Sequence, residues 1–180
     1  TYAVQPEDTI LVHAAAGGMG LILCQWAKAL GAVIVGTVST KEKAEVARAA
    51  GCHYPVVRSE TNFVDVVREV TNGEGCAVVY EAIGKDTMQA SLDSLRPMGV
   101  CAAYGHVSGP PDPVDIIQDL GRRGSLFITR PAIMHYVAKR SDLEWTARDL
   151  FKAIGDGILE ANINYEYALK DAVKAHEAIE

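Results

Sequence analysis

The sequence has little cysteine and no long apolar run. Its 180 residues include four cysteines, Cys24, Cys52, Cys76 and Cys101, and no Cys-x-x-Cys pair occurs. This spacing offers neither a zinc cage nor a disulfide framework, so we expect buried free thiols in a reducing cytoplasm. No apolar run approaches the roughly 20 residues that span a bilayer, and the N-terminus lacks the basic start and apolar core of a signal peptide.

Composition also limits the class of protein and of partner. The formal net charge is −6, 49% of the residues are hydrophobic and 22% are charged. These values are typical of a globular protein with one domain and a sizeable core. The acidic balance argues against a nucleic-acid surface. The start without Met suggests a piece of a longer protein.

The most informative motif is a glycine-rich turn between a predicted strand and a predicted helix. The apolar run 9–12 precedes the pattern Ala15-x-Gly17-x-x-Gly20, and helical spacing continues to Leu30. A helix N-terminus in this position offers unpaired N–H groups and partial positive charge to a phosphate. Gly17 would let the backbone approach a pyrophosphate, and Gly20 would let the helix pack close to the strand. A tight turn without a ligand is the alternative.

Strand-like and helical segments alternate along most of the chain. The predicted strands are residues 10–13, 32–38, 54–57, 77–80, 100–104 and 126–129. The predicted helices are residues 20–30, 40–50, 64–71, 86–95, 142–154 and 169–179, with Thr40 as the cap of the second and Thr61 as the cap of the third. Such alternation requires parallel strands joined by right-handed crossovers, with helices on both faces. We therefore predict that residues 1–180 form a Rossmann-type doubly wound α/β domain whose six-stranded sheet has the order 3-2-1-4-5-6.

The end of the second predicted strand indicates which dinucleotide the turn would hold. An NAD site usually places an acidic residue about 20 residues beyond the glycines, whereas Ser39, Thr40 and Lys43 stand here. A lysine attracts a 2′-phosphate that a carboxylate would repel. Arg58, after the third predicted strand, could reach the same pocket. These residues favour NADP over NAD, with a solvent-facing Lys43 as the alternative.

Two more predicted loops belong to the same edge of the sheet. Residues 81–84 follow the fourth strand, and residues 105–109 follow the fifth. Their glycines would let a flat ring lie against the backbone, and ordinary strand-ending turns are the alternative. His106 has no neighbouring carboxylate in the sequence, so we favour a contact with the ligand over proton donation. We expect His13 to be a core histidine bonded to the backbone.

A series of motifs, in order, covers essentially the whole chain. They are residues 13–20, 24–31, 36–40 with Lys43, 79–84, 125–131, and 169–172 with 175–176. Together they resemble the zinc-free quinone oxidoreductase branch, the group that includes zeta-crystallin, of the medium-chain dehydrogenase/reductase superfamily. Arg58 departs from this pattern, because a tyrosine commonly stands there.

The resemblance implies that the cofactor is NADPH and that no metal is bound. It places the pyrophosphate over Gly18 and Met19 and the 2′-phosphate near Ser39 and Lys43. On the nicotinamide side it places Ile83, Gly105, His106, Val107, Ser108, Thr129 and Arg130.

The resemblance also implies a reaction, transfer of a hydride from NADPH to a quinone or a conjugated enone. Family members carry an N-terminal catalytic barrel-like domain, so we expect these residues alone to bind the cofactor with little turnover. Many dimerise through their sixth strands, here residues 126–129. An enoyl-thioester or alkenal reductase and a non-catalytic dinucleotide- or RNA-binding module are the alternatives.

Overall fold

The computed structural model describes residues 1–161, 163 and 165–179. Its centre is a parallel sheet of six strands in the order β3-β2-β1-β4-β5-β6. The strands are β1 Thr9–Val12, β2 Val33–Val38, β3 Tyr54–Val57, β4 Cys76–Glu81, β5 Leu95–Ala103 and β6 Phe127–Thr129. The predicted fold class and strand order are confirmed.

Seven α-helices accompany the strands in the described part of the chain. They are α1 Gly18–Ala29, α2 Lys41–Ala49, α3 Phe63–Val70, α4 Met88–Asp93, α5 Ile133–Tyr136, α6 Arg140–Gly155 and α7 Ala172–Ile179. A π-helical turn spans Ile116–Gly121, and a 3₁₀ turn, Leu169–Asp171, leads into α7. None of these helices combines the length and the apolar character needed to cross a bilayer.

Apolar side chains alternate between the two faces of the sheet, as they must when both faces are covered. Ile10 and Val12 of β1 pack on one face with residues of α1 and α2. Leu11, between them in sequence, packs on the other face with residues of α3 and α4. All three are fully buried. The two half-cores hold β1 in the middle of the molecule, and its carboxyl end therefore has a fixed position.

The predicted limits of two helices are wrong. Asn62 caps α3 with its side chain, which accepts a hydrogen bond from Val64 N at 3.0 Å, where Thr61 was expected to do so. The helix predicted over residues 86–95 spans only Met88–Asp93 in the structure. Leu95 pairs with Cys76 of β4 and belongs to β5, so the sheet takes a residue that helical spacing had assigned to the helix.

Candidate functional site

The turn after β1 brings the start of α1 to the carboxyl edge of the sheet. Gly17 is the residue before the helix, with φ −80° and ψ 170°, and no side chain caps this end. Gly17 N–H donates to Ala14 O at 2.8 Å, which closes the turn. The first N–H groups of α1 have no intrahelical partner, so they remain available to a ligand.

Gly20 is required because the helix passes very close to this turn. A Cβ atom at this position would lie 2.2 Å from Ala14 O and 2.7 Å from the Cα of Ala15. Both contacts are with backbone, which cannot move aside as a flexible side chain could. Gly20 therefore allows the close approach of the helix to the turn after β1.

A cleft of about 310 Å³ opens beside the turn. It is lined by Ala14, Ala16, Gly17, Thr37, Val38, Ser39, Lys43, Arg58, Ile83 and Val107. The lining comes from the β1–α1 turn, the end of β2, the first turn of α2, and the segments that follow β3, β4 and β5. This is the crevice outside the carboxyl ends of the strands in which open α/β sheets bind ligands.

The cleft is positively charged. Lys43 and Arg58 are its charged residues, and none of its lining residues is acidic. Neither side chain forms an ion pair within the described residues. The partial positive charge of the α1 N-terminus adds to these two cations. The arrangement therefore favours a ligand that carries several phosphate groups.

The structure brings only some of the predicted site residues into this cleft. Those that line it are Gly17, Ser39, Lys43, Arg58, Ile83 and Val107. Gly18, Met19 and Gly20 adjoin it as the first residues of α1, and Met19 is exposed.

Thr40 has a structural role next to the cleft. Its hydroxyl accepts a hydrogen bond from Lys43 N at 3.3 Å and so caps α2. It holds the helix turn that carries Lys43.

The predicted residues after β5 form a loop against the one that follows β4. Ser108 Oγ donates to Ile83 O at 2.8 Å and accepts from Asp86 N at 3.1 Å. His106 is exposed, and its carbonyl accepts from Gly109 N at 2.9 Å. Gly105 begins this loop, with its N–H donating to Glu81 O at 3.2 Å.

Thr129 and Arg130 lie in a separate depression with Pro131, Ala132, His135 and Tyr136. Arg130 Nη1 donates to Tyr104 O at 2.6 Å, which ties the end of β6 to the end of β5. These two residues do not line the cleft that contains Lys43.

Sequence reasoning missed a buried polar network beneath the cleft. Glu81 is fully buried, and its Oε1 accepts from Ile83 N at 2.6 Å and from Gly84 N at 3.0 Å. The hydroxyl of Thr87 lies 2.9 Å from Oε1 and 3.0 Å from Oε2. Ser91 Oγ donates to Oε2 at 2.5 Å. The carboxylate is thus satisfied by its own loop and by α4.

His13 extends this network to β2. We expected its ring to bond to the backbone, and that is wrong, because both nitrogens contact side chains. Nδ1 lies 2.9 Å from Thr37 Oγ1, and Nε2 lies 2.9 Å from Ser91 Oγ and 3.4 Å from Glu81 Oε2. The ring meets that of Phe63 edge-on, with centroids 5.0 Å apart. One signal in the sequence could have indicated this network, because a polar residue stands at or near the carboxyl end of several adjacent strands.

Burial sets the charge state of this network. Burial lowers the pKa of His13 to about 4, although the neighbouring Glu81 carboxylate raises it. Burial acts to raise the pKa of Glu81, but His13 and the hydrogen bonds from Ser91, Gly84 and Ile83 hold the pKa below its ordinary value. At neutral pH the network therefore combines a neutral imidazole with an ionised carboxylate.

Comparison with known proteins defines the family. Residues 18–148 match the family model described as zinc-binding dehydrogenase. The chain belongs to this family. Within the medium-chain dehydrogenase/reductase superfamily it falls in the zinc-free quinone oxidoreductase branch, as the sequence motifs predicted. In the described part of the chain, no group of three or more His, Cys, Asp or Glu side chains could hold a metal ion.

Its relatives in this branch are about twice as long. The chain is 53% identical over 177 residues to a 2-haloacrylate reductase of Burkholderia sp., covering 98% of this chain and 53% of the relative. It is 41% identical over 182 residues to quinone oxidoreductase 1 of Escherichia coli, covering all of this chain and 55% of the relative. The chain therefore spans about half the length of the curated relatives that it matches.

The solved structures agree with this assignment. An Escherichia coli quinone oxidoreductase complexed with NADPH superposes with a TM-score of 0.92 at 40% identity, covering 99% of this chain and 55% of that one. The 2-haloacrylate reductase structure gives a TM-score of 0.94 at 53% identity, covering 98% of this chain and 55% of that one.

Proposed function

We propose that the chain binds NADPH in the cleft beside the β1–α1 turn. The observation that carries the proposal is that Lys43 and Arg58 line the same cleft, which has no acidic lining residue. A 2′-phosphate distinguishes NADPH from NADH, and two cations favour it where a carboxylate would select the bare ribose. The NADPH complex of the Escherichia coli relative supports the proposal.

Different residues would contact different parts of the cofactor. Lys43, Arg58 and the Ser39 hydroxyl would hold the 2′-phosphate, and the amides of Gly18 and Met19 would hold the pyrophosphate. Gly17 would leave room for the backbone to approach it. Thr40 would act through Lys43, whose helix turn it caps.

The nicotinamide half would lie toward the ends of β5 and β6. We keep the loop residues Gly105, His106 and Ser108 in this role, together with Thr129 and Arg130. Ser108 supports it by fixing the loop against Ile83. Ile83 and Val107 line the same cleft as Lys43 and Arg58, so we place both beside the adenosine half.

In the whole protein we propose a reduction of quinones or conjugated enones. Bound NADPH would supply a hydride to an electron-poor acceptor. Such an acceptor can take its proton from solvent, so no side-chain acid need be assigned in this half. The names of the two relatives, a quinone oxidoreductase and a 2-haloacrylate reductase, support acceptors of this class. Turnover of the full-length protein with quinones, haloacrylates and enoyl thioesters tests it, and activity with enoyl thioesters alone would contradict it.

Calorimetry tests the cofactor assignment directly. NADPH should bind at least about tenfold more tightly than NADH, the discrimination expected of one charge-assisted phosphate contact. The double variant Lys43→Ala, Arg58→Ala should remove this preference. Lys41→Ala is the matched control, because Lys41 also begins α2 but pairs with Glu60 at 3.3 Å and does not line the cleft. Equal affinities for the two cofactors in the unmodified protein would overturn the proposal.

We also propose that two copies pair through β6 to form a homodimer. β6 is an edge strand, and Phe127 is 56% exposed, a combination that favours pairing with another edge. Light scattering should show a dimer that Phe127→Lys converts to a monomer. Val46→Lys, at an apolar residue 48% exposed on α2, should leave the dimer intact. A dimer that survives both variants would contradict this interface.

We propose a cytoplasmic location, which the four free cysteines support. Recovery of the protein from a membrane or extracellular fraction would contradict it.

A further inference from the structure

The buried network connects the two walls of the cleft. Thr37, on the β2 side, and Ile83, on the β4 side, both line it. Beneath the cleft, Thr37 contacts His13, and His13 contacts Ser91 and Glu81. Glu81 then accepts from the N–H of Ile83. A continuous chain of hydrogen bonds therefore runs from one wall to the other through side chains that a ligand would not touch.

The network is built to be rigid. The side chains of His13, Glu81 and Ser91 are fully buried, and Thr37 and Thr87 are 1% and 3% exposed. No buried side-chain nitrogen or oxygen lacks a hydrogen-bond partner within the described residues. A fully satisfied polar network in a dry interior favours one arrangement, because any displacement would leave a polar atom unpaired.

The network is also connected, through Ile83, to the loop after β5. Ile83 O accepts from Ser108 Oγ at 2.8 Å and from Ser108 N at 2.8 Å. Val107, the next residue toward the N-terminus, lines the cleft. Glu81 therefore holds Ile83 by its N–H, and Ile83 in turn holds the segment that carries Val107.

We propose that Glu81, His13 and Ser91 are positioning residues that fix the width of the adenine-nucleotide cleft between Thr37 and Ile83. This inference rests on the proposed function, since it gives the network a role in holding the cofactor. The residues act through the cleft walls and not by touching the ligand. Their effect should therefore appear in the affinity for a ligand that fills only this cleft.

Two serines on the same turn of chain provide a matched test. Ser91 and Ser94 are both fully buried. Ser91 Oγ joins His13 to Glu81, whereas Ser94 Oγ donates to Ala90 O at 2.9 Å and takes no part in the network. Ser91→Ala and Ser94→Ala remove the same atom, but only the first breaks the connection between the walls.

The probe is 2′,5′-ADP, the part of NADPH that carries the adenosine and the 2′-phosphate. By calorimetry, Ser91→Ala should bind it about fivefold more weakly than the unmodified protein, the effect of one net hydrogen bond. Ser94→Ala should bind it with unchanged affinity.

The possible failures are distinguishable. If the unmodified protein does not bind 2′,5′-ADP, the proposed function is wrong. If it binds and both serine variants bind equally well, the network does not position the cleft. Equal weakening in both variants would show a general loss of rigidity and would also overturn the inference. Thermal unfolding of each variant confirms that it is folded at the temperature of the titration.

Discussion

The imidazole Nε2 of His13 lies 2.9 Å from Ser91 Oγ, and this hydroxyl lies 2.5 Å from Glu81 Oε2. The carboxylate can only accept, so Ser91 donates its hydrogen to Glu81 and accepts from His13. Nε2 therefore carries the proton of the neutral ring, and Nδ1 accepts from the Thr37 hydroxyl. One arrangement of hydrogens satisfies every group.

Glu81→Gln should reverse this arrangement. The amide oxygen must take the place of Oε1, where the N–H groups of Ile83 and Gly84 point, so the amide NH₂ faces Ser91. Ser91 would then donate to His13 Nε2, and the ring proton would move to Nδ1. Long-range ¹⁵N NMR of the imidazole reports the tautomer. The same tautomer in both proteins would contradict the assigned hydrogen bonds.

The free energy of unfolding should decrease as the pH is lowered, because of His13. Its pKa is about 4 in the folded protein, whereas an unfolded histidine titrates near about 6.5. As pH falls from 6.5 toward 4, the unfolded state takes up a proton that the folded state does not. The resulting loss is about 2 kcal/mol of unfolding free energy by pH 5. Urea unfolding at several pH values gives the free energy of unfolding as a function of pH. This free energy should decrease more steeply with falling pH in the unmodified protein than in His13→Asn. The same pH dependence in both proteins would exclude His13 as the cause.

Two glycines in the first turn of α1 should respond oppositely to alanine. A Cβ at Gly20 meets backbone atoms at 2.2 to 2.7 Å, so Gly20→Ala should cost about 3 kcal/mol, the upper end of overpacking. A Cβ at Gly18 meets nothing within 4 Å, so Gly18→Ala should leave stability unchanged or slightly raised. Urea unfolding of both variants tests this. Equal losses would show that the helix does not approach the turn as described.

The cap of α3 can be assigned by substitution. Asn62→Ala removes the acceptor for Val64 N and should cost about 1 kcal/mol. Thr61→Ala should change stability by less than about 0.5 kcal/mol, as is usual for an exposed surface residue. A larger effect at Thr61 would restore the prediction from sequence that it is the cap.

The four cysteines should be inert in the native protein. All are buried and free, and burial raises the pKa of Cys76 and of Cys101 to about 12. The hydrogen bond with Cys24 lowers the pKa of Cys52, so for this residue burial alone must prevent reaction. Thiolates are the reactive form, so labelling by a disulfide reagent should require unfolding. Rapid reaction of any cysteine in the native protein would contradict its burial.

The periodicity of the sequence was sufficient for the strands and their order. Continuous apolar runs predict strands buried on both faces, and the turn at Gly17 identifies the first of them. Helix ends were predicted less well. Asn62 and Thr61 are both common cap residues, although Asn is the better of the two, and the end of α4 depends on the pairing of Leu95 with Cys76 in the sheet.

The sequence predicted part of the cleft, because some of its residues follow the ends of the predicted strands. Ser39, Lys43 and Arg58 follow strand ends, and parallel strands bring their carboxyl ends to one edge whatever lies between them. The position of Ile83 beside Lys43 and Arg58 could not be read in this way, because it depends on how the β4 loop folds over the cleft.

The sequence by itself determined the alternation of strands and helices, the glycine turn and the basic residues beside it, because each depends on residues close together in the chain. Only the tertiary structure decided that His13, Thr37, Glu81 and Ser91 form one buried network. These four residues come from β1, β2, β4 and α4, and their hydrogen bonds exist only once packing excludes water from between them.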